Sequence, residues 1–205
     1  MLDYGIFYEF IPMDTFGTLN QRVIRLNQVE LHKNYALVIT TNSGLWRYLI
    51  GDTIRFTSLN PYRIKVTGRT KHHINVFGEE LMVENTDTAL AKTCKTFNCE
   101  MVDYTVAPIF MTNNQKGAHE WMVEFKNPPE DIAKFKQALD ENIQALNSDY
   151  EAKRYNNMTL NEPIVHIAKP QLFYRWMEQR GKLGGQNKLP RLTNDRKIAD
   201  LLASE

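Results

Sequence analysis

Trp46-Arg-Tyr-Leu-Ile-Gly-Asp52 is the stretch from which the fold of the first third of the chain is worked out. Its apolar run predicts a strand, and Gly51-Asp52 predicts a sharp turn that leaves one carboxylate at the strand end. Similar short runs, rich in aromatic or β-branched residues, lie on both sides. Together the predicted strands cover residues 6–11, 23–31, 35–41, 45–50, 53–57 and 62–67. This spacing predicts a small antiparallel sheet or a partial barrel.

Asp52 and Arg69 together have the chemistry of half a nucleotide site. A carboxylate at the end of a strand can accept hydrogen bonds from the two adjacent hydroxyls of a ribose. Arg69, in Gly68-Arg-Thr-Lys71, can place a cationic fork near the same sugar or its phosphate. The alternative interpretation is a hairpin turn at Gly51-Asp52 and a solvated strand end at Arg69. The whole ordered set of residues favours the nucleotide interpretation.

The chain changes character near residues 68–71, where strands begin to alternate with longer helices. We predict strands at 73–77, 101–110, 120–125 and 164–168, and a helix at 83–97 with Leu90, Cys94 and Phe97 on one face. Further helices are predicted after the start signal Asn127-Pro-Pro-Glu130, between Pro170 and Gly181, and after a cap at Thr193 or Asn194.

The fold class that follows is α+β, in two domains. Residues 1–68 form a β-rich domain, and residues 69–205 form a two-layer C-terminal domain with helices packed on a small sheet. The junction near residues 68–71 is expected to act as a hinge. In the helix after residue 130, Ile132, Phe135, Leu139, Ile143 and Leu146 keep helical spacing and should face the sheet.

Composition restricts the classes of function. The chain has 205 residues, is 42% hydrophobic and carries a formal charge of +1, which suits a folded protein with a sizeable core. The lack of a basic block argues against a nucleic-acid partner, and the lack of a long apolar run argues against a membrane span. We therefore expect a cytoplasmic protein. Cys94 and Cys99 are expected to be reduced structural thiols on or near a helix, and no metal site is predicted.

The loop from Gly181 to Arg191 is the second candidate site. Its glycines leave the backbone free to approach a ligand or to move, while Lys188 and Arg191 flank a rigid proline. A lysine on such a loop can neutralise the charge that develops when a phosphate is attacked. A flexible, solvated surface loop explains the composition equally well. Lys182 and Lys197 are close enough in sequence that charge alone does not single out Lys188.

Five ordered motifs carry a family resemblance. They are Phe7-Tyr-Glu-Phe-Ile-Pro12, Trp46-Arg-Tyr-Leu-Ile-Gly-Asp52, Gly68-Arg-Thr-Lys71, Leu146-Asn-Ser-Asp-Tyr150 and Gly185-Gln-Asn-Lys-Leu-Pro-Arg191. Taken together they resemble the Gretchen Hagen, or auxin-responsive, acyl acid-amido synthetases, and the match looks like a bacterial member. That family belongs to the adenylate-forming superfamily of the firefly-luciferase type. The resemblance runs over essentially the whole chain.

The resemblance implies a two-step ligase reaction that uses ATP and Mg²⁺. A carboxylic acid attacks the α-phosphate of ATP to give an acyl-adenylate and pyrophosphate, and an amino acid amine then forms the amide and releases AMP. Asp52 matches the ribose-binding aspartate of the family, and Arg69 and Tyr48 are assigned to nucleotide binding with it. Lys188 matches the lysine that reaches the phosphates when the small domain closes. Closure excludes water from the adenylate.

The chain departs from the family pattern in two ways. Plant members have a lysine about where this chain has Leu81, so a phosphate contact there cannot be carried over. The adenine-binding elements and the acyl-acid pocket lie in a large N-terminal region that this chain does not resemble, so that region is the expected partner and Met1 an expected internal methionine. Alone, the chain should be inactive. The alternative is a non-catalytic binding or regulatory module that keeps this fold.

Other polar residues have simpler interpretations. Adjacent residues on a strand point to opposite faces, so His72 and His73 are not expected to bind one metal ion. Glu79 and Glu80 are expected to be solvated. Glu9 could face a ligand or lie on the solvent face of its strand. Trp121 and Trp176 follow core patterns and should be buried. The identities of the acyl acid and of the amino acid cannot be read from these residues.

Overall fold

The computed structural model of the protein describes residues 4–70, 73–112, 115–155, 159–184 and 187–204. The chain divides into two compact units, Met1–Lys71 and His72–Glu205. Four residues named above lie outside the described residues: Lys71 of the predicted hinge, His72, and Gly185 and Gln186 of the lysine loop. The α+β class predicted from the sequence is confirmed.

The first unit is built on a four-stranded antiparallel sheet in which each strand pairs with the next along the chain. The strands are β1 (Ile6–Pro12), β2 (Asn34–Thr41), β3 (Tyr48–Leu59) and β4 (Tyr62–Arg69). Phe10, Tyr35 and Phe56 pack edge to face at its centre, with ring centroids 5.2 to 6.2 Å apart. This geometry suits the quadrupoles of the rings and adds to the area that they bury.

The predicted turn at Gly51-Asp52 is wrong, because β3 runs through it as one strand of 12 residues. Ala36 of β2 pairs with Thr53 and Val38 pairs with Leu49, so β3 bulges between these two pairs. Gly51 adopts φ +89°, a conformation that side chains other than glycine rarely take. The glycine therefore bends the strand without ending it.

The predicted strand at residues 23–31 is also wrong. The segment contains a single 3-10 turn, Leu26–Gln28, and touches the sheet through isolated bridges from Ile24 to Phe10 and from Leu31 to Phe56. The Gln28 side chain accepts a hydrogen bond from the Arg25 backbone N–H at 3.0 Å. Such local bonds compete with strand pairing, which explains why the apolar pattern alone misled.

The second unit contains a short hairpin, a three-stranded sheet and five helices. The strands are β5 (His73–Ile74), β6 (Leu81–Met82), β7 (Glu100–Ile109), β8 (Ala118–Asn127) and β9 (Ile164–Ile167). The helices are α1 (Val83–Thr96), α2 (Ile132–Gln144), α3 (Ser148–Arg154), α4 (Leu172–Gln179) and α5 (Lys197–Ala203). β7 and β8 are antiparallel, and β9 adds to β8 in parallel.

Strand β8 shows how the three-stranded sheet is packed. Trp121, Val123 and Phe125 belong to the core formed with α1, α2 and α3. Met122 belongs to a separate core formed with α4 and α5. Because alternate residues of a strand face opposite sides, helices cover both faces of this sheet, which adds one helical layer to the predicted two. Trp121 and Trp176 are buried, as predicted.

Two predicted helix starts lie elsewhere. Asn127 stays in β8 opposite Glu100, and Asp131 caps α2 by accepting from the N–H groups of Ala133 and Lys134. Consequently Ile132, at the first position of α2, is 36% exposed, and Leu146, beyond its end, is 41% exposed. Helix α5 begins at Lys197 without a side-chain cap. The side chain of Asn194 instead bonds the backbone of Asn75 and His73.

Cys94 lies on the buried face of α1, and both cysteines are free thiols, as predicted. Burial and the neighbouring Cys99 raise the pKa of Cys94 to about 12. At pH 8 we expect Cys94 to resist iodoacetamide in the folded protein and to react readily in urea, with peptide mapping as the measurement. Rapid labelling of Cys94 in the folded protein would contradict this assignment.

The helices of the described part of the chain are too short or too polar to cross a bilayer; the longest, α1, has 14 residues.

Candidate functional site

Asp52 and Arg69 form the first part of the candidate site. They are cross-strand partners on β3 and β4, and Arg69 Nε lies 2.8 Å from Asp52 Oδ1. The Arg69 side chain is 63% exposed and that of Asp52 is 29% exposed. The bulge at Gly51 sets the position of the carboxylate, and Thr70 N–H donates to Gly51 O at 2.8 Å to tie the ends of the two strands. The pair is therefore a preformed, solvent-accessible arrangement of one carboxylate and one guanidinium.

Tyr48 begins β3 and is 52% exposed, so its ring is available to a ligand. Among the described residues no hydrogen bond joins its hydroxyl to Asp52 or Arg69. Its neighbour Trp46 is 82% exposed. Glu9 forms an ion pair with Arg47 at 3.0 Å, which gives that carboxylate a structural partner. The structure thus brings Asp52 and Arg69 together and places Tyr48 four residues before Asp52 on the same strand.

Lys188 lies in the second unit, on the loop between α4 and α5. The loop begins at Gly181, whose φ of +61° allows Lys182 N–H to reach back to Met177 O at 2.9 Å. It ends where Val106 N–H donates to Arg191 O at 2.8 Å, and Leu192 is fully buried. Lys188 itself is exposed. In the described part of the chain its ammonium forms no ion pair, so it remains available to an anion.

A groove of about 790 Å³ lies beside Lys188. Its walls come from β7, β8, α4 and the loop after α4. Apolar side chains of α4 and of the loop line it, and its polar lining includes Asp103, Glu124, Lys182 and Lys188. The groove therefore combines an apolar surface with carboxylates and ammonium groups, the composition expected of a small-molecule site.

Arg191 has a structural role in this groove. Its Nη1 donates to both oxygens of Asp87 at 2.6 and 2.7 Å, and its guanidinium lies over the Tyr104 ring at 5.2 Å from the ring centre. Asp87 also accepts from the Tyr104 hydroxyl. Burial, followed by Asp87, raises the pKa of Tyr104. Of the two cations that flank Pro190, only Lys188 is thus left for a ligand.

Sequence reasoning missed the buried acids of the second unit. Glu79, expected to be solvated, is fully buried; it bonds His119 Nε2 at 2.9 Å and accepts from the Phe77 N–H at 2.7 Å. Tertiary packing overrides the local preference here, because His119 lies 40 residues away. Leu81 is fully buried in the core of the same unit, so this position cannot contact a phosphate.

No group of three His, Cys, Asp or Glu side chains in the described residues is arranged to hold a metal ion. A divalent cation at this site would accompany a phosphate ligand as part of the substrate, which is the usual way in which Mg²⁺ binds at nucleotide sites.

Two family models match the chain in consecutive order. The GH3 family central domain matches residues 1–69, and the GH3 family C-terminal domain matches residues 84–197. The second model alone covers more than half of the chain. The order of the two matches agrees with the two compact units.

Curated relatives and a solved structure cover nearly all of the chain. Indole-3-acetic acid-amido synthetase GH3.3 from Arabidopsis thaliana is 26% identical over 97% of this chain and 35% of its own length. Indole-3-acetic acid-amido synthetase GH3.8 from Oryza sativa subsp. indica is 24% identical, with the same coverage. The structure of GH3.15 acyl acid amido synthetase superposes with a TM-score of 0.68 at 21% identity, over 98% of this chain and 36% of that one. The chain spans about a third of the length of these relatives.

Proposed function

The chain belongs to the GH3 family, and we propose on that premise that it is the central and C-terminal portion of an ATP-dependent acyl acid-amido synthetase. The observation that carries the proposal is the match of both family domains, in order, together with an exposed carboxylate–guanidinium pair and an exposed lysine at the matching motifs. The proposed reaction is adenylation of a carboxylic acid, followed by attack of an amino acid amine on the acyl carbon to form an amide and release AMP.

Asp52 is proposed to hold the ribose. In the ligand-free protein its Oδ1 is engaged by Arg69, and its side chain is only partly exposed. Two ribose hydroxyls can donate to the carboxylate while the exposed Arg69 turns toward a phosphate, where a guanidinium makes charge-assisted hydrogen bonds. Tyr48, exposed on the same strand, is proposed to contribute contact area to the nucleotide.

Lys188 is proposed as the catalytic cation of the first step. Negative charge builds up as the acyl carboxylate attacks the α-phosphate and pyrophosphate leaves. An ammonium group that reaches these oxygens stabilises the transition state more than the ground state, and this difference accelerates the reaction. Its loop is anchored at both ends, by α4 and by β7, which limits the freedom lost when it is positioned.

We further propose that residues 68–71 are the hinge between the domains 1–68 and 69–205. A hinge is needed if Lys188 is to act during adenylation and then withdraw so that the amine can enter. Closure during the first step would also keep water away from the hydrolysable adenylate.

The partners that follow from this proposal are small molecules and one further domain. ATP, as its Mg²⁺ complex, an acyl acid and an amino acid are the proposed substrates, and a cytoplasmic location suits these soluble metabolites. The residues that bind adenine and the acyl acid are proposed to belong to the N-terminal domain of a longer synthetase. The 205-residue chain alone is therefore proposed to be inactive.

The test of the proposed function is pyrophosphate release by the full-length synthetase. We expect release that depends on both ATP and a carboxylic acid from a panel of aromatic and aliphatic acids, and amide formation once amino acids are added. The 205-residue chain is the matched control and should release none. If the full-length protein shows no acid-dependent release with any acid of the panel, the catalytic proposal fails.

A non-catalytic binding module is the second candidate, favoured by the buried Leu81, which cannot supply the phosphate contact carried over from plant members. The two candidates differ in a direct way. A binding module would bind the nucleotide without catalysing acid-dependent exchange of pyrophosphate into ATP, whereas a synthetase would do both.

Asp52→Ala is expected to weaken binding of AMP to the full-length synthetase by about tenfold, the usual cost of a hydrogen bond to a charged group. Calorimetric titration measures the dissociation constant. Asp14→Ala, which removes an exposed carboxylate from the same unit, is the matched control and should leave the constant unchanged. Equal constants for Asp52→Ala and the unaltered protein would remove Asp52 from the site.

A further inference from the structure

The groove beside Lys188 contains more acid than its cations neutralise. Asp103 of β7 and Glu124 of β8 are cross-strand partners, so two carboxylates stand next to each other on one wall. Like charges in such positions repel unless something compensates them. Asp87 adds a third carboxylate against the single guanidinium of Arg191. The wall is thus suited to a cation.

Glu124 is compensated within the fold. Its Oε1 accepts from the Gln171 N–H at 2.7 Å and its Oε2 from the Phe173 N–H at 3.5 Å, both at the start of α4. The residue is only 6% exposed. A carboxylate at a helix N-terminus is stabilised by unpaired N–H groups and by the helix dipole. Glu124 therefore has little capacity left for a ligand.

Asp103 is the acid that remains incompletely compensated. Its Oδ1 accepts from the Tyr104 N–H at 2.9 Å and lies 3.6 Å from Arg191 Nε, whereas Arg191 makes its shorter bonds to Asp87. Within the described residues, Asp103 Oδ2 has no hydrogen-bond partner, and the side chain is 33% exposed. Burial raises the pKa of Asp103 in spite of Arg191, which indicates that the protein alone does not fully stabilise its charge.

We propose that this groove binds the amino acid that the synthetase couples, with Asp103 Oδ2 receiving its ammonium group. The inference rests on the proposed function and assigns a place to its second substrate. Lys182, exposed on the opposite wall and without an ion pair in the described part of the chain, receives the carboxylate. A volume of about 790 Å³ is ample for one amino acid.

The lining also selects the class of amino acid. Phe173, Met177, Leu183 and Leu189 present apolar surface to the groove, and Tyr174 adds a half-exposed ring. An aromatic or aliphatic side chain buries apolar area there. A second carboxylate, as in glutamate, would be repelled by Asp103 and Glu124. The expected ligand is therefore an apolar amino acid, of which L-phenylalanine is the probe.

The first test is binding to the 205-residue chain, measured by calorimetric titration. We expect L-phenylalanine to bind at least about tenfold more tightly than 3-phenylpropionate, which lacks only the ammonium group. Asp103→Asn should abolish that preference, whereas Asp149→Asn, an exposed acid outside the groove, should retain it. Equal binding of the two ligands, no binding of L-phenylalanine, or an unchanged preference in Asp103→Asn would each overturn the proposal.

The second test separates this inference from the proposed function. In the full-length synthetase, Asp103→Asn should raise the KM for L-phenylalanine in amide formation by about tenfold or more. Acid-dependent exchange of pyrophosphate into ATP needs no amino acid, and measurable exchange in the variant shows that it folds. Exchange with an unchanged KM overturns the inference alone. Absence of exchange in the unaltered enzyme overturns the proposed function, and the binding test on the chain still decides the role of Asp103.

Discussion

Lys188→Ala is expected to lower the rate of adenylation by the full-length synthetase by about 10²- to 10³-fold, with a much smaller effect on nucleotide affinity. Removing a group that acts on developing charge lowers kcat, whereas removing a ground-state contact such as Asp52 raises the dissociation constant. Lys188 is suited to the first role because its ammonium has no ion pair in the described part of the chain. The measurement is the initial rate of acid-dependent exchange of pyrophosphate into ATP at saturating ATP.

Lys197→Ala is the matched control for Lys188. It removes a lysine whose side chain is 85% exposed and whose ammonium lies 3.4 Å from Asp195, so the exchange rate should stay unchanged. Lys188→Arg keeps the charge but alters its shape and reach, and it should recover part of the rate. If Lys188→Ala exchanges pyrophosphate as fast as the control, the catalytic cation is a different residue, and Lys182 of the same loop becomes the candidate.

Asp140→Ala is expected to destabilise the second unit by about 3–5 kcal/mol, a large part of the roughly 5–15 kcal/mol that stabilises a typical domain. Asp140 is 5% exposed and accepts from Arg154 Nε at 2.8 Å and Nη2 at 2.6 Å. It also accepts from the Tyr150 hydroxyl at 2.7 Å. Without Asp140, the guanidinium of Arg154, itself 8% exposed, would stay buried with no counter-charge from α2.

The measurement is urea unfolding followed by tryptophan fluorescence, because Trp121 and Trp176 are buried in the second unit. Glu100→Ala is the matched control. It breaks a solvent-exposed ion pair with Lys126, at 3.1 Å, in the same unit and should cost less than about 1 kcal/mol. A midpoint for Asp140→Ala no lower than that of the control would show that the buried pair contributes little.

The two units differ in how far their structure could be predicted. In the second unit the predicted helix at 83–97 and strands at 101–110, 120–125 and 164–168 match observed elements within a few residues. These segments have strong periodicity and clear breaks. In the first unit, short apolar runs were ambiguous, and the 3-10 turn at Leu26–Gln28 replaced a predicted strand. Side-chain bonds over a few residues decided that outcome, and hydrophobic patterns do not report them.

The amino-acid sequence by itself determined the class of fold, the order of the elements and the motifs that place Asp52, Arg69 and Lys188 in one family. Glycine, proline and apolar spacing act over a few residues, so these features are legible along the chain. Only the tertiary structure paired Asp52 with Arg69 through the bulge at Gly51, and only it used Arg191 to hold Asp87, 104 residues away, which leaves Lys188 and Asp103 open to ligands. Such pairings depend on strand register and on packing between distant segments, and neither is encoded in any local run of residues.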